Sequence, residues 1–161
     1  VLVVRRPVEK REGIKPPKHD TFHFFKAVTR TWTSMMMKGP TLPDATTFEA
    51  VDDRVFMFVQ TQSWKPIDAV YYTDLDAMRV TRELRRHKLE THGVPPQATS
   101  DASTAVVRHG IGQASIWFVG GKDVSGRLND VYSFNVKTAT WACHHSGLEP
   151  ADPAVAGEPM H

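Results

Sequence analysis

Apolar residues in this chain gather in short runs rather than at helical spacing. Val1-Leu2-Val3-Val4, Val55-Phe56-Met57-Phe58-Val59 and Ile116-Trp117-Phe118-Val119 are each bounded by polar or turn-forming residues. Runs this short, rich in β-branched and aromatic side chains, predict buried strands. An alternating segment follows each one: Phe22-His23-Phe24-Phe25, Val70-Tyr71-Tyr72-Thr73 and Val131-Tyr132-Ser133-Phe134. Alternation fits a strand with one packed face and one wetter face. Thr46 to Val51 and Ser103 to Val107 predict two further strands, and Asp52-Asp53 a hairpin turn between strands. Gly39 to Pro43, Gly93 to Pro96 and Gly147 to Pro150 punctuate the chain as turns or extended linkers.

One segment conflicts with itself. Leu75 to Glu90 is rich in Ala, Met, Arg, Glu, Lys and Leu, all good helix formers. Its apolar positions Leu75, Met78, Val80, Leu84 and Leu89 make a poor helical stripe. The repeat described next predicts a strand there instead, through about Leu84.

Aligned on their last valines, the three apolar runs place Val4, Val59 and Val119 at offsets of 55 and 60 residues. After each comes a polar loop, the alternating strand and a short strand: Thr29 to Trp32, Met78 to Thr81, and Thr138 to Trp141. Phe22 to Trp32 and Val131 to Trp141 share one pattern. A recurring unit near this length predicts a repeat architecture built of small sheets.

The bulk numbers narrow the function classes. A chain of 161 residues can bury a core. A formal net charge of +2, from 20 basic and 18 acidic residues, does not argue for nucleic acid or a membrane surface. No apolar run approaches the roughly 18 residues of a spanning helix, and no signal peptide is visible. The chain opens at Val1, which leaves room for an upstream segment. Cys143 is the one cysteine, so neither an intrachain disulfide nor a CxxC pair exists, and a reducing, intracellular setting is expected.

Motifs for chemistry are weak. Gly120-Gly121 lacks both GxGxxG and a GK[ST] ending, so it predicts a turn or bulge rather than a phosphate loop. The histidine pairs His19/His23, His87/His92 and His144/His145 lack the paired Cys/His spacing of zinc sites. Asp74 and Asp76 share a strand face as solvated carboxylates, and Cys143 beside His144-His145 reads as a small outer-strand residue rather than an activated thiol. No catalytic residue, cofactor or metal is expected. The run Arg79, Arg82, Arg85, Arg86, His87, Lys88 is the one charge feature. It reads as a solvated loop, with an acidic partner as the sharper alternative. Nucleic acid is disfavoured because no aromatic residues interleave with it.

The third unit resembles a kelch repeat: Ile116 to Gly121, then Asp130-Val131-Tyr132-Ser133-Phe134, then Trp141. In that family a hydrophobic strand ends in a double glycine, an aromatic pair follows, and a tryptophan starts the last strand. The second unit is similar in Val55 to Val59, Tyr71 to Asp76 and Gly93 to Pro96. It departs in carrying Gln60-Thr61 for the glycines and Val80 for the tryptophan; the first unit carries Arg5-Arg6 for the glycines. The resemblance spans Val1 to about Pro150. It implies an all-β fold of kelch-type β-propeller blades, each a four-stranded antiparallel sheet. About two and a half blades are expected: part of a first in 1–37, a second in 38–92, a third in 93–146, and a lead-in to another in 147–161, with Glu158 to His161 opening it. An incomplete propeller predicts a slice of a larger protein, with ring closure by several copies as the alternative.

The resemblance also implies where partners bind. Family members use the loop between the second and third strands and the loop leading to the next blade. Here these are Arg5 to His19, Gln60 to Asp68, Gly121 to Asp130, and Arg85 to Asp101. Trp64, Lys65, Arg85, Arg86, Lys88, Lys122, Asp123 and Arg127 are the candidate contact residues, with Trp64 the aromatic anchor. The expected function is a non-catalytic protein-protein interaction scaffold in an intracellular multi-protein assembly, without membrane or nucleic-acid partners. The alternatives are the propeller part of an enzyme whose catalytic residues lie outside this chain, and a substrate adaptor of a ubiquitin ligase.

Overall fold

The apolar runs form strands and pair with the alternating segments that follow them. The computed structural model describes residues 2–5, 21–37, 41–43, 46–62, 65–81, 85–97 and 99–146. In order they form β1 (Leu2–Arg5), β2 (Thr21–Lys26), β3 (Thr31–Met36), β4 (Thr47–Val51), β5 (Arg54–Val59), β6 (Ala69–Asp74), α1 (Leu75–Thr81), β7 (His87–Leu89), β8 (Ser103–Gly110), β9 (Gln113–Val119), β10 (Val131–Asn135) and β11 (Thr140–His145). The expected lead-in at 147–161 lies outside the described residues, as do Val1 and most of the 5–19 loop.

Every pairing between named strands is antiparallel, and every sheet is contiguous in sequence. The first sheet runs β1-β2-β3, the second β4-β5-β6-β7 and the third β8-β9-β10-β11. Asp52 and Asp53 make the two-residue turn between β4 and β5, with Asp52 at φ 51°. Asp is one of the residues that tolerates this left-handed conformation.

The second sheet is buried on both faces, which explains the unbroken apolar run in β5. Val55, Met57 and Val59 pack with Phe22, Phe24 and Met37 of the first-sheet segment. Phe56 and Phe58 point the other way, into a cluster with Ile116, Phe118, Phe134 and Trp141 of the third sheet. Phe58 sits at its centre, with ring centroids 4.9 Å from Phe118, 5.3 Å from Phe134 and 5.5 Å from Trp141, all edge-on. Such contacts add about 0.5–1.5 kcal/mol each beyond area burial. Near the β4 side, Thr104 donates from its hydroxyl to the Glu49 carboxylate, tying β8 to β4.

The hairpins repeat in three dimensions. Phe25 lies opposite Trp32, and Phe134 opposite Trp141. Their rings are 5.0 Å and 4.8 Å apart. Each pair is joined by a four-residue turn whose last residue has positive φ, Arg30 at 53° and Ala139 at 54°. Trp141 is buried at 4% exposure because the second sheet covers it, whereas Trp32 is 57% exposed on the outer face of the first sheet.

Four expectations change. Asp76 lies in the first turn of α1 rather than on the strand face of Asp74. Met78 to Thr81 is helix, not strand. Asp74 caps α1 by accepting from the amides of Asp76 (2.9 Å) and Ala77 (3.1 Å), and Leu75 anchors it in the core. Those two amides, first Ala77 and then Asp76, hold the Asp74 carboxyl below its ordinary pKa. A helix of seven residues needs one buried anchor rather than a long stripe, so local propensity prevails. The fourth strand of the second sheet is therefore β7, and Lys88, not Val80, lies opposite Tyr71. Finally, the structural match to Val59 in β9 is Phe118, one residue short of the valine alignment. Val59 faces the first sheet and Phe118 faces the second, so both look back along the stack. A one-residue slip would reverse every side chain.

Phe58→Ala should destabilise the chain by about 4 kcal/mol, through lost burial plus the cavity left among three rings; a urea melt would measure it. Tyr132 gives a pH signature. Burial, then a hydrogen bond with Cys143 and the nearby charges of Cys143 and Asp130, push its phenol from 10.0 up to about 12. The folded state thus favours the neutral phenol, so this contribution is intact below pH 10.0 and lost as pH rises toward about 12. Circular dichroism across that window should show alkaline unfolding that is shallower in Tyr132→Phe.

Candidate interaction surface

The β5–β6 loop, the β7–β8 connection and the β9–β10 loop meet at one end of the second and third sheets. Gln60 is the joint. It has no exposed surface, and its Nε2 donates to the Lys65 carbonyl at 2.6 Å while its Oε1 accepts from Thr99 Oγ1 at 2.8 Å. One buried amide thus closes the β5–β6 loop and ties it to the chain entering the third sheet. That connection first passes along the outer edge of the third sheet. The His92 amide donates to Ala139 O at 2.9 Å, and Trp141 donates back to His92 O at 2.8 Å. Gly93 follows with φ 81°; a Cβ there would lie 2.6 Å from the Trp141 carbonyl, so glycine is required. The connection then forms an antiparallel bridge from Ser100 to Lys122.

The β9–β10 loop is a small ordered hairpin. Gly120 turns the chain at φ 73° and donates to Asp130 O at 2.8 Å. Leu128 donates to Gly121 O at 3.0 Å, and Lys122 bridges Arg127. Asp123 caps the tip, accepting from the Ser125 hydroxyl (2.6 Å), the Ser125 amide (2.7 Å) and the Gly126 amide (3.0 Å). The Ser125 bonds lead in holding its carboxyl below the ordinary aspartate pKa. Between this hairpin and the connection lies a cleft of about 500 Å³, lined by Asp101, Val119, Gly121, Lys122, Arg127 and Leu128 among others.

The structure brings some candidate contact residues together and separates others. Lys122, Asp123 and Arg127 share the β9–β10 hairpin, and Lys65 lies in the neighbouring β5–β6 loop, exposed at its side chain. Trp64 lies outside the described residues. Arg85, Arg86 and Lys88 belong elsewhere, at the outer edge of the second sheet. Arg86 lies over the Tyr71 ring at 5.6 Å, and Lys88 is exposed on β7. Charge on an edge strand discourages pairing with another chain, a role that Lys88 can fill on β7.

Sequence reasoning missed Gln60, Thr99 and Asp101. Gln60 stood as a substitute for a glycine and as the start of a loop, and its burial depends on a partner 39 residues away. No local signal in the sequence could have found it.

The opposite end carries a second cleft, of about 450 Å³, where Asp52, Asp53, Asp74 and Asp76 meet Arg54 and Lys137. Asp74 is occupied in capping α1, and Asp52 pairs with Arg108 at 3.3 Å across the two sheets. Both partners of that pair are more than half exposed, so it contributes about 0–1 kcal/mol. Among the described residues no group of three or more His, Cys, Asp or Glu side chains is placed to hold a metal ion. Cys143 and His144 point to opposite faces of the third sheet: Cys143 bonds Tyr132, whereas His144 stacks on Trp117 at 4.4 Å and bonds Ser133 Oγ at 2.8 Å. Among the described residues no helix is long and apolar enough to cross a membrane.

No protein-family model matches the chain, and no curated protein matches it.

Gln60→Leu keeps the side chain's approximate volume but strands the Lys65 carbonyl and the Thr99 hydroxyl. It should cost about 2–3 kcal/mol, as buried polar groups left unpaired do. Hydrogen exchange should show it as faster opening of the 60–68 and 97–102 segments, with the β9–β10 pairing unchanged.

Proposed function

We propose that the three sheets are consecutive blades of a kelch-type β-propeller, a slice of a larger one, and that the chain is a non-catalytic protein-interaction scaffold. Its setting in this reading is an intracellular multi-protein assembly. The observation that carries the blade reading is the stacking sense: the second and third sheets turn equivalent positions, Val59 and Phe118, the same way, each toward the sheet before it. Successive sheets are also joined edge to edge through β4 and β8. Stacking of this kind continues in principle at both ends. The exposed Trp32 matches the covered Trp141, and Trp117, on the outer face of the third sheet, matches the covered Phe58.

Binding is assigned to the loop end. Its loops are held in shape by buried or internal hydrogen bonds while their charged side chains stay exposed. Such an arrangement presents a fixed surface at low ordering cost. Among the described residues nothing comparable assembles a nucleophile with its base, which favours recognition over catalysis in this part of the chain.

Replacing Lys122–Arg127 by a Gly-Asn turn should abolish recovery of the protein's partners from cell extract by cross-linking and mass spectrometry. The melting temperature should stay within about 2 °C, because the loop bonds are local. A control that exchanges the Asp52-Asp53 turn at the other end should leave recovery intact. Unchanged recovery with the shortened loop would sink the reading.

A further inference from the structure

Lys122 and Arg127 are direct neighbours across an antiparallel bridge. Residues so placed project from one face with Cβ atoms about 4.5–5.5 Å apart, and like charges there destabilise the pair. Both side chains are exposed, and among the described residues neither makes an ion pair or a side-chain hydrogen bond. The carboxylates close by do not relieve them. Asp123 is turned into its own loop by three bonds. Asp130 is buried with interactions of its own. Asp101 lines the same cleft without an ion pair to either cation. A short, otherwise well-bonded hairpin thus holds two cations against their mutual repulsion, at the wall of a cleft.

The loop's amides say what kind of anion fits. Gly120, Asp123, Ser125, Gly126 and Leu128 all donate within the loop. Those five amides are therefore committed to the loop rather than offered to a phosphate. Recognition falls to the two side chains, with the Arg127 guanidinium suited to a carboxylate fork. Apolar surface flanks them within the loop, where Val124 is 81% exposed. We infer that Lys122 and Arg127 form the binding site for the carboxylates of an acidic peptide segment in a partner protein, an apolar residue of which packs on Val124. This deepens the scaffold reading and rests on it.

The test uses the whole chain and a fluorescein-labelled, glutamate-rich peptide with a central leucine, followed by anisotropy. Lys122→Glu and Arg127→Glu should each weaken binding by at least about tenfold, as loss of a close charge pair does. Lys137→Glu at the opposite end should change it less than about twofold, since separation beyond a Debye length screens it. A glutamine version of the peptide should not compete. Without peptide, Arg127→Gln should raise the melting temperature by about 1–3 °C, because the like-charge pair is gone. Equal losses in all three charge reversals, or none, overturn the proposal, and so does displacement by inorganic phosphate at peptide-like concentration. If the shortened loop loses natural partners but the acidic peptide does not bind, this inference fails while the scaffold reading stands.

Discussion

β5 is the constraint on which the rest of the structure depends. Its residues Val55 to Val59 are all buried, alternate ones against different sheets. A strand covered on both faces cannot slip by one residue without exchanging its entire packing, so it fixes register in both directions. Phe58 carries the forward contact through three rings of the third sheet, and Met57 the backward one. The two interfaces are thus coupled through one backbone, and the sheets either side must present matching faces. That requirement is what makes the stack directional.

Directionality explains the unequal fates of equivalent residues. Phe134–Trp141 and Phe25–Trp32 have the same register, spacing and turn. One pair is core and the other is surface, solely because a sheet precedes the first and no described residue fully covers the second. Trp117 stands in the same relation to Phe58. Exposure of these aromatics therefore reports position in a stack rather than a specialised binding patch.

The loop end follows from the same geometry. Stacked sheets bring their β5–β6 and β9–β10 loops side by side, and Gln60 locks one to the connection that crosses between sheets. The basic residues sort into two groups with different physical roles. Arg86 and Lys88 sit at an outer sheet edge, where charge and a ring contact suffice to explain them. Lys122 and Arg127 are instead neighbours across the bridge of the β9–β10 hairpin, at the wall of the cleft.

Much of this was legible in the chain. The short apolar runs, the alternation after them and the paired Asp turn specified β-strands, antiparallel hairpins and contiguous sheets, because period-two patterning and turn chemistry are local properties. The repeat was legible too, through the matched blocks ending in Trp32 and Trp141. What local pattern could not decide was which of two alignments, one residue apart, sets the faces; the choice between Val119 and Phe118 rests on what lies above and below. Nor could it decide the 75–81 segment, where a cap from Asp74 and one buried leucine favoured helix and moved the fourth strand to His87–Leu89. Sequence by itself determined the strands outside that segment and their order. Tertiary structure decided the register between sheets and the burial of Gln60, because each depends on groups distant in the chain meeting in space.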